Sequence, residues 1–270
     1  MPDPTGKTGT AASEKAPRRR QNSGTYIYGV IPADVELSPD ARGIGDPPGR
    51  IKLVRHGKIA ALISKVTLDR PLGRPDDLIA HQRLLDATAA EVPVLPLRFG
   101  AVVTGPEAVL NELLEPYHDE FLATLNELED RVQYVVKGRY VEQVVIGEVL
   151  AENPEAARLR EEIRGRPEET TWDARIQLGE MVGEAVAAKR DADTEALVDA
   201  LAPLSVMVVV REPTHEQDAV HAAFLIETDQ QAEFSRAVEK FGKRWTGRVD
   251  LRLLGPMAPY DFVTTQRREG

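Results

Sequence analysis

The sequence predicts an α+β protein of two domains, each an antiparallel sheet carrying helices. Three observations predict it. From Val132 onward the stretches follow the order strand, helices, strand, strand, helix, strand, which is the split β-α-β pattern of ferredoxin-like folds. The first half runs strand, strand, strand, helix, strand, helix, a variant of that order. A chain of 270 residues with 42% hydrophobic and 29% charged residues suits two ordinary packed domains, not wholesale disorder. The expected divisions are a basic disordered tail at 1–24, an N-terminal α+β domain at 25–131, a C-terminal ferredoxin-like domain with extra helices at 132–263, and a flexible tail at 264–270.

In the first half, Thr25–Ile31 alternates β-branched and aromatic residues and stops at Pro32, as a strand does. Pro39, Pro47, Pro48 and three glycines make 33–50 a loop. Its Gly43-Ile44-Gly45 hints at a dinucleotide turn, but Pro47 and Pro48 prevent the helix such a turn must open. Ile51–Val54 and Lys58–Val66 flank Arg55-His56-Gly57 as a hairpin. Asp76 or Asp77 is placed to cap a helix reaching about Glu91, with Leu78, Leu85 and Ala89 on one stripe, and Pro93 ends it. Val94–Val103 is a strand in which Pro96 lacks a ladder donor, so it belongs at an edge or carries a bulge. Pro106 opens further helix through Leu110, Leu113, Leu114, Phe121, Leu122, Leu125 and Leu128. From Glu107 to Asp130 that stretch holds many acids and no Lys or Arg, a solvated face suited to a basic partner.

In the second half, Val132–Arg139 is a strand, and Tyr140–Arg164 is helical but broken at Asn153-Pro154. Thr170 or Thr171 caps a helix through Trp172, Ile176, Met181, Val182 and Val186 that ends near Arg190, followed by a second piece, Thr194–Leu201. Leu204–Arg211 is the most β-prone run in the chain, with Val220–Thr228 as its hairpin partner. Gln230–Gly242 places Phe234, Ala237, Val238 and Phe241 at i, i+3, i+4 and i+7, with Gly242 as its cap. Arg248–Leu254 is the last strand and leads into Gly255–Phe262.

Thirty-four Lys and Arg against 44 Asp and Glu leave the chain at −10, a poor general binder of phosphate backbones. The first 24 residues run against this trend, with Lys7, Lys15, Arg18, Arg19 and Arg20 against Asp3 and Glu14, but lack the apolar core of a secretory signal. The absence of cysteine removes disulfides and thiolate chemistry and points to a reducing, cytoplasmic setting. No run is long and apolar enough to span a membrane.

Chemistry-bearing residues do not assemble into a motif. His215-Glu216 resembles the start of a zinc-protease helix, yet the next histidine is His221 rather than the residue one helical turn on. His118, Asp119 and Glu120 are neighbours on a helix and point apart. Ser205 lacks a nucleophile elbow. The expectation is therefore no catalytic, cofactor or metal residue. Arg98, beside Phe99 and Gly100 in an apolar run, has two accounts: its guanidinium meets a carboxylate at the sheet edge, or it recognises a partner's carboxylate or carbonyl groups. Gly255, Pro256, Pro259 and Tyr260 form a rigid, partly apolar element that either closes over the seam between the domains or serves as a contact surface.

At these two segments the chain resembles the GvpL/GvpF family of gas vesicle accessory proteins. Val94-Leu95-Pro96-Leu97-Arg98-Phe99-Gly100 matches a family strand, His81 matches a histidine on the preceding helix, and Gly255-Pro256, Pro259-Tyr260 and Phe262 match a terminal element. The resemblance runs from Thr25 to Val263. Met257, Ala258 and Asp261 depart from the usual Trp, Pro and Ser, and Glu129-Asp130-Arg131-Val132-Gln133 departs from a Gly-x-x-Glu start to the second domain.

The resemblance implies a non-enzymatic protein that contacts the small hydrophobic shell protein and other accessory proteins during gas vesicle nucleation and assembly. It also implies a shell-associated place, gas-facing or as a minor shell component, for some members. The alternative expectation is a small-molecule enzyme or sensor using a cleft between the domains. A nucleic-acid module built on Arg18–Arg20, Arg236, Lys240, Lys243 and Arg244 is disfavoured by net charge and by an aromatic content of 5%.

Overall fold

In the computed structural model, residues 23–69 and 71–263 are described; residues 1–22 of the expected N-terminal tail and the 264–270 tail lie outside the described residues, while Ser23 and Gly24, expected in that tail, open the first strand. The first strand, β1 (Ser23–Pro32), is buried from Gly24 to Ile31. An uninterrupted apolar strand needs cover on both faces, and β1 has it. It pairs antiparallel along its whole length with β3 (Ile59–Thr67), which forms a hairpin with β2 (Lys52–His56) through Gly57 at φ 54°. One face packs Tyr26, Tyr28, Ala60, Leu62 and Val66 beneath helix α1 (Pro75–Ala89). The other packs Ile27, Val30, Ile59 and Ile63 against Val109, Leu114, Phe121 and Leu125.

Local expectations in this half are corrected at α1, at Val94–Val103 and after Pro106. Helix α1 starts at Pro75, whose missing N–H suits the first helical position, and Arg74 at its cap makes no side-chain bond. Asp76 and Asp77 therefore fall in the first turn, and the buried stripe is Asp77, His81 and Leu85 while Leu78 is 46% exposed. The expected strand Val94–Val103 is two short ones, β4 (Leu95–Pro96) and β5 (Val102–Val103), both on β1, and the chain between them leaves the ladder. The helical region after Pro106 is likewise segmented into α2 (Pro106–Ala108), a π-helical stretch Val109–Leu114, and α3 (His118–Glu127). The N-terminal sheet thus has the order β2-β3-β1-β4, with β5 also on β1.

The second sheet begins after Asp130 with β6 (Arg131–Tyr140). Asn153 separates α4 (Glu142–Glu152) from α5 (Pro154–Ile163) and caps the latter, its side-chain oxygen accepting from the Glu155 and Ala156 amides at 3.1 Å. The two helices expected between Trp172 and Leu201 are one, the 30-residue α6 (Trp172–Leu201). Asp191 and Asp193 lie inside it, in an alanine-rich stretch with no proline to break it.

Strands β7 (Met207–Val210), β8 (Asp218–Glu227) and β9 (Val249–Met257) join β6 in the order β7-β8-β6-β9, all antiparallel. The order of elements from β6 onward is the one expected from the sequence. Helix α7 (Gln231–Arg244) buries Phe234, Val238 and Phe241 against Val132, Tyr134, Val136 and Phe224, with Leu197 and Leu201 of α6 alongside. Each fully buried phenylalanine is worth about 1.5–3 kcal/mol of apolar transfer. Gly242 does not end this helix. It lies within the last turn, where its bare Cα faces Leu251 of β9.

Candidate functional site at the His81 cluster

Alternation along β1 sends Tyr26 and Tyr28 to the face beneath α1, and the i, i+4, i+8 stripe of α1 sends Asp77, His81 and Leu85 down onto them. The polar groups are matched across the layer. The Tyr28 hydroxyl accepts from the Ile44 amide at 2.8 Å and lies 2.8 Å from Ser64 Oγ, which pins the proline-rich loop to the sheet. Asp77 accepts from the Gly45 amide at 3.2 Å. The Gly43-Ile44-Gly45 turn is therefore a plug in the core, with Ile44 1% exposed.

Tyr26 holds the centre. Its hydroxyl accepts from the Gly100 amide at 3.1 Å and lies 3.0 Å from His81 Nδ1. The Tyr26 hydroxyl and His81 Nδ1 share one hydrogen bond, and burial favours the neutral imidazole. Burial pushes the imidazole down to about 4, against a smaller opposing pull from the Leu97 backbone. The ring stacks on Tyr28 at 5.6 Å and meets Tyr26 and Phe99 edge-on at 5.7 and 5.5 Å, with Tyr260 at 6.5 Å. Burial also raises the phenols of Tyr26, Tyr28 and Tyr260.

His81 is the point at which the two singled-out segments converge. Between β4 and β5 the Phe99 ring turns inward onto His81, and Gly100 turns the chain at φ 97°, where only glycine is unstrained. Arg98 is left outside. It is exposed and makes no hydrogen bond or ion pair among the described residues, so the account in which it meets a carboxylate at the sheet edge is corrected.

The second segment leaves β9 and crosses to α1. Ala258 is fully buried in the N-terminal core, and its amide donates to Asp86 Oδ1 of α1 at 3.0 Å. Burial raises the Asp86 carboxyl, with the Ala258 amide and the Gln82 side chain opposing. Asp261 then ties the segment back to the second sheet: it accepts from Arg211 Nε at 2.8 Å and from Arg211 Nη2 and Gln133 Nε2, while its own amide donates to Gln133 Oε1 at 3.0 Å. Of the four residues singled out here, Pro259 is buried, Tyr260 is partly buried and Gly255 and Pro256 are exposed. The segment closes over the seam between the sheets.

Replacing Asp261 with Ala is expected to cost about 2–3 kcal/mol, because fully buried Gln133 loses a carboxylate acceptor and Arg211 is left without its anion. Urea unfolding of D261A, R211M and the double variant tests this. The double variant recovers part of the loss if the pair acts as described, and strictly additive losses would contradict it.

These two segments lie inside a longer match: residues 24–264 fit the family described as gas vesicle synthesis protein GvpL/GvpF. The chain belongs to the GvpL/GvpF family. It is 35% identical over 243 residues to a gas vesicle protein F of a Streptomyces species, a match covering 88% of this chain and 99% of that protein. It is 31% identical over 268 residues to a gas vesicle protein L of the same organism, covering 88% and 92%. The crystal structure of GvpF from Microcystis aeruginosa superposes with a TM-score of 0.73 at 24% identity, covering 89% of this chain and 98% of that one, and so shares the fold. Membership supports a gas vesicle accessory role.

Elsewhere in this GvpL/GvpF protein, His118 and His221 make local contacts. His118 takes up Asp119 at 2.8 Å and the Lys58 amide at 3.4 Å, bracing the β2–β3 turn. His221 lies beside Arg211, 3.1 Å from its Nη1. Asp218, which sequence reasoning passed over, anchors the β7–β8 loop. Burial would raise its carboxyl, but the Thr214 hydroxyl, the Thr214 and His215 amides and Lys137 outweigh that and hold it at about 2. Among the described residues no helix is long and apolar enough to cross a membrane. A groove of about 660 Å³ runs between α4, α6 and residues 213–217, away from His81.

Proposed function

We propose that this protein is a non-enzymatic assembly factor that binds the small hydrophobic gas vesicle shell protein, together with other accessory proteins, during nucleation and growth of the vesicle. It acts from the cytoplasm and on the shell, including its gas-facing side. The observation that carries the reading is Arg98: an exposed guanidinium with no partner among the described residues, on a turn whose next residue, Phe99, is anchored in the His81 cluster. The guanidinium presents a planar fork of donors suited to carbonyl or carboxylate oxygens, and less side-chain freedom is lost per bond formed than with a flexible ammonium. An unassembled shell subunit exposes apolar, strand-forming surface that aggregates unless covered.

In this reading Arg98, Phe99 and Gly100 form the contact, with exposed Gly255 and Pro256 alongside, while Pro259 and Tyr260 support it from beneath. The chain acts as two domains, 25–131 and 132–263, clasped by the terminal segment. Pull-down of the shell protein is the test. Arg98→Ala should lower capture about tenfold, the weight of one interface anchor, with no change in melting temperature, since the side chain holds nothing in the fold. Undiminished capture by Arg98→Ala removes the turn from the interface.

A further inference from the structure

Sheet edges present unpaired backbone groups, and natural sheets guard them with charge, proline, bulges or short length. Among the described residues the two sheets have four edges, and three are guarded. Strand β2 carries Lys52, Arg55 and His56 in five residues. The edge opposite it is broken into β4 and β5, two residues each, with Pro96 in the first. Strand β9 carries Asp250, Arg252 and Pro256. Strand β7 differs: from Ser205 to Val210 the sequence is Ser-Val-Met-Val-Val-Val, without charge or proline, and Val206, Met207 and Val210 are 40%, 50% and 55% exposed.

The backbone of β7 is also available. The Arg211 amide donates to the His221 carbonyl at 2.8 Å, and the ladder runs in register from there to Val209 opposite Ala223 and Met207 opposite Leu225. Alternation in an antiparallel pair then turns the amides and carbonyls of Val208 and Val210 away from β8, toward the free side.

We propose that β7 is a strand-addition site for an extended, uncharged segment of a partner protein, rich in β-branched residues. Main-chain bonds to Val208 and Val210 would hold it, and its side chains would alternate beside Met207 and Val209 on one face and Val208 and Val210 on the other. Two features favour such a segment over a second copy of this chain. The chain carries −10 overall, so two copies approach against net repulsion. A four-residue strand also covers far less than the roughly 1,200–2,000 Å² that two folded chains need for a stable interface, whereas an added strand relies on its backbone bonds. The site is on the second sheet and does not depend on the role proposed for Arg98.

The probe is a short fluorescein-labelled peptide of alternating valine and threonine with a lysine at each end, titrated with the full-length chain and followed by anisotropy. Saturable binding is expected, weakened about tenfold or more by Val210→Pro, which removes an outward N–H and leaves the β8 ladder intact. Met207→Lys guards the edge without altering the backbone and should weaken binding in the same way, so a poorly folded proline variant does not spoil the test. Absence of saturable binding, or equal binding by both folded variants, overturns the proposal. Sedimentation showing a dimer that Val210→Pro dissolves would assign the edge to a second copy and overturn it as well.

Discussion

Taking the protein from pH 7 to pH 4 is expected to cost about 3 kcal/mol of folding stability through His81 alone. In the unfolded chain the imidazole titrates near 6.5, and in the folded chain burial holds it at about 4. Between those values the unfolded state binds more protons, so stability falls as pH falls. The contribution is complete above about 6.5 and is lost progressively down to about 4, at roughly 1.4 kcal/mol for each pH unit of the gap.

The structure gives the reason. A charged imidazolium would be enclosed by the rings of Tyr26, Tyr28, Phe99 and Tyr260, away from water. Asp86, whose carboxyl is raised by burial, works in the opposite direction as it protonates, and Asp218 loses its contribution only below the usual carboxylate range. Urea unfolding at several pH values, comparing the wild type with His81→Gln, isolates the His81 share. The variant should be less stable at pH 7 and show a shallower decline toward pH 4; parallel curves would refute the assignment.

Gly255→Ala is expected to cost about 3 kcal/mol or more and to open the clasp. The residue sits at φ 131°, a region that L side chains rarely adopt, and a Cβ there would lie 2.9 Å from both the Gln133 carbonyl oxygen and the Tyr134 ring. Backbone strain of this kind costs about 1–3 kcal/mol, and the clash adds to it because the obstacles are the backbone of central strand β6 and a core ring, neither a flexible side-chain end. Relief requires the chain after Gly255 to shift, which pulls Ala258 from Asp86 and Asp261 from Gln133 and Arg211. Limited proteolysis should therefore cut between residues 258 and 263 well before the rest of the chain. Gly147→Ala is the control: it lies on α4 with open space around it and should be neutral or stabilising by about 1 kcal/mol at most. Equal urea midpoints for wild type and Gly255→Ala would show that the clasp tolerates a side chain there.

Much of the fold was legible because its signals are periodic. Phe234, Val238 and Phe241 fall on one face of α7 at helical spacing, and the valine-rich strands of the second half stand out by composition in their chain order. The motif around Arg98 and the terminal Gly-Pro and Pro-Tyr pairs were legible as residues, and the family with them.

Other features were not. The buried stripe of α1 was assigned to Leu78, Leu85 and Ala89, and is in fact Asp77, His81 and Leu85. Nothing local marks an aspartate or a histidine as buried. Their partners, the Gly45 amide and the Tyr26 hydroxyl, lie 32 and 55 residues away in the chain. Strand Val94–Val103 looked continuous because its composition is apolar throughout, while its break depends on where the Phe99 ring finds cover.

The sequence by itself determined the order of helices and strands, the apolar faces and the absence of thiol chemistry, since each follows from residue type and near-neighbour spacing. Only the tertiary structure decided which polar groups go inside, which sheet edge stays unguarded, and that Gly255–Phe262 is a clasp across the seam. Those outcomes depend on donors, acceptors and cover supplied by distant segments, and burying a polar group is favourable only once its partner has been brought beside it.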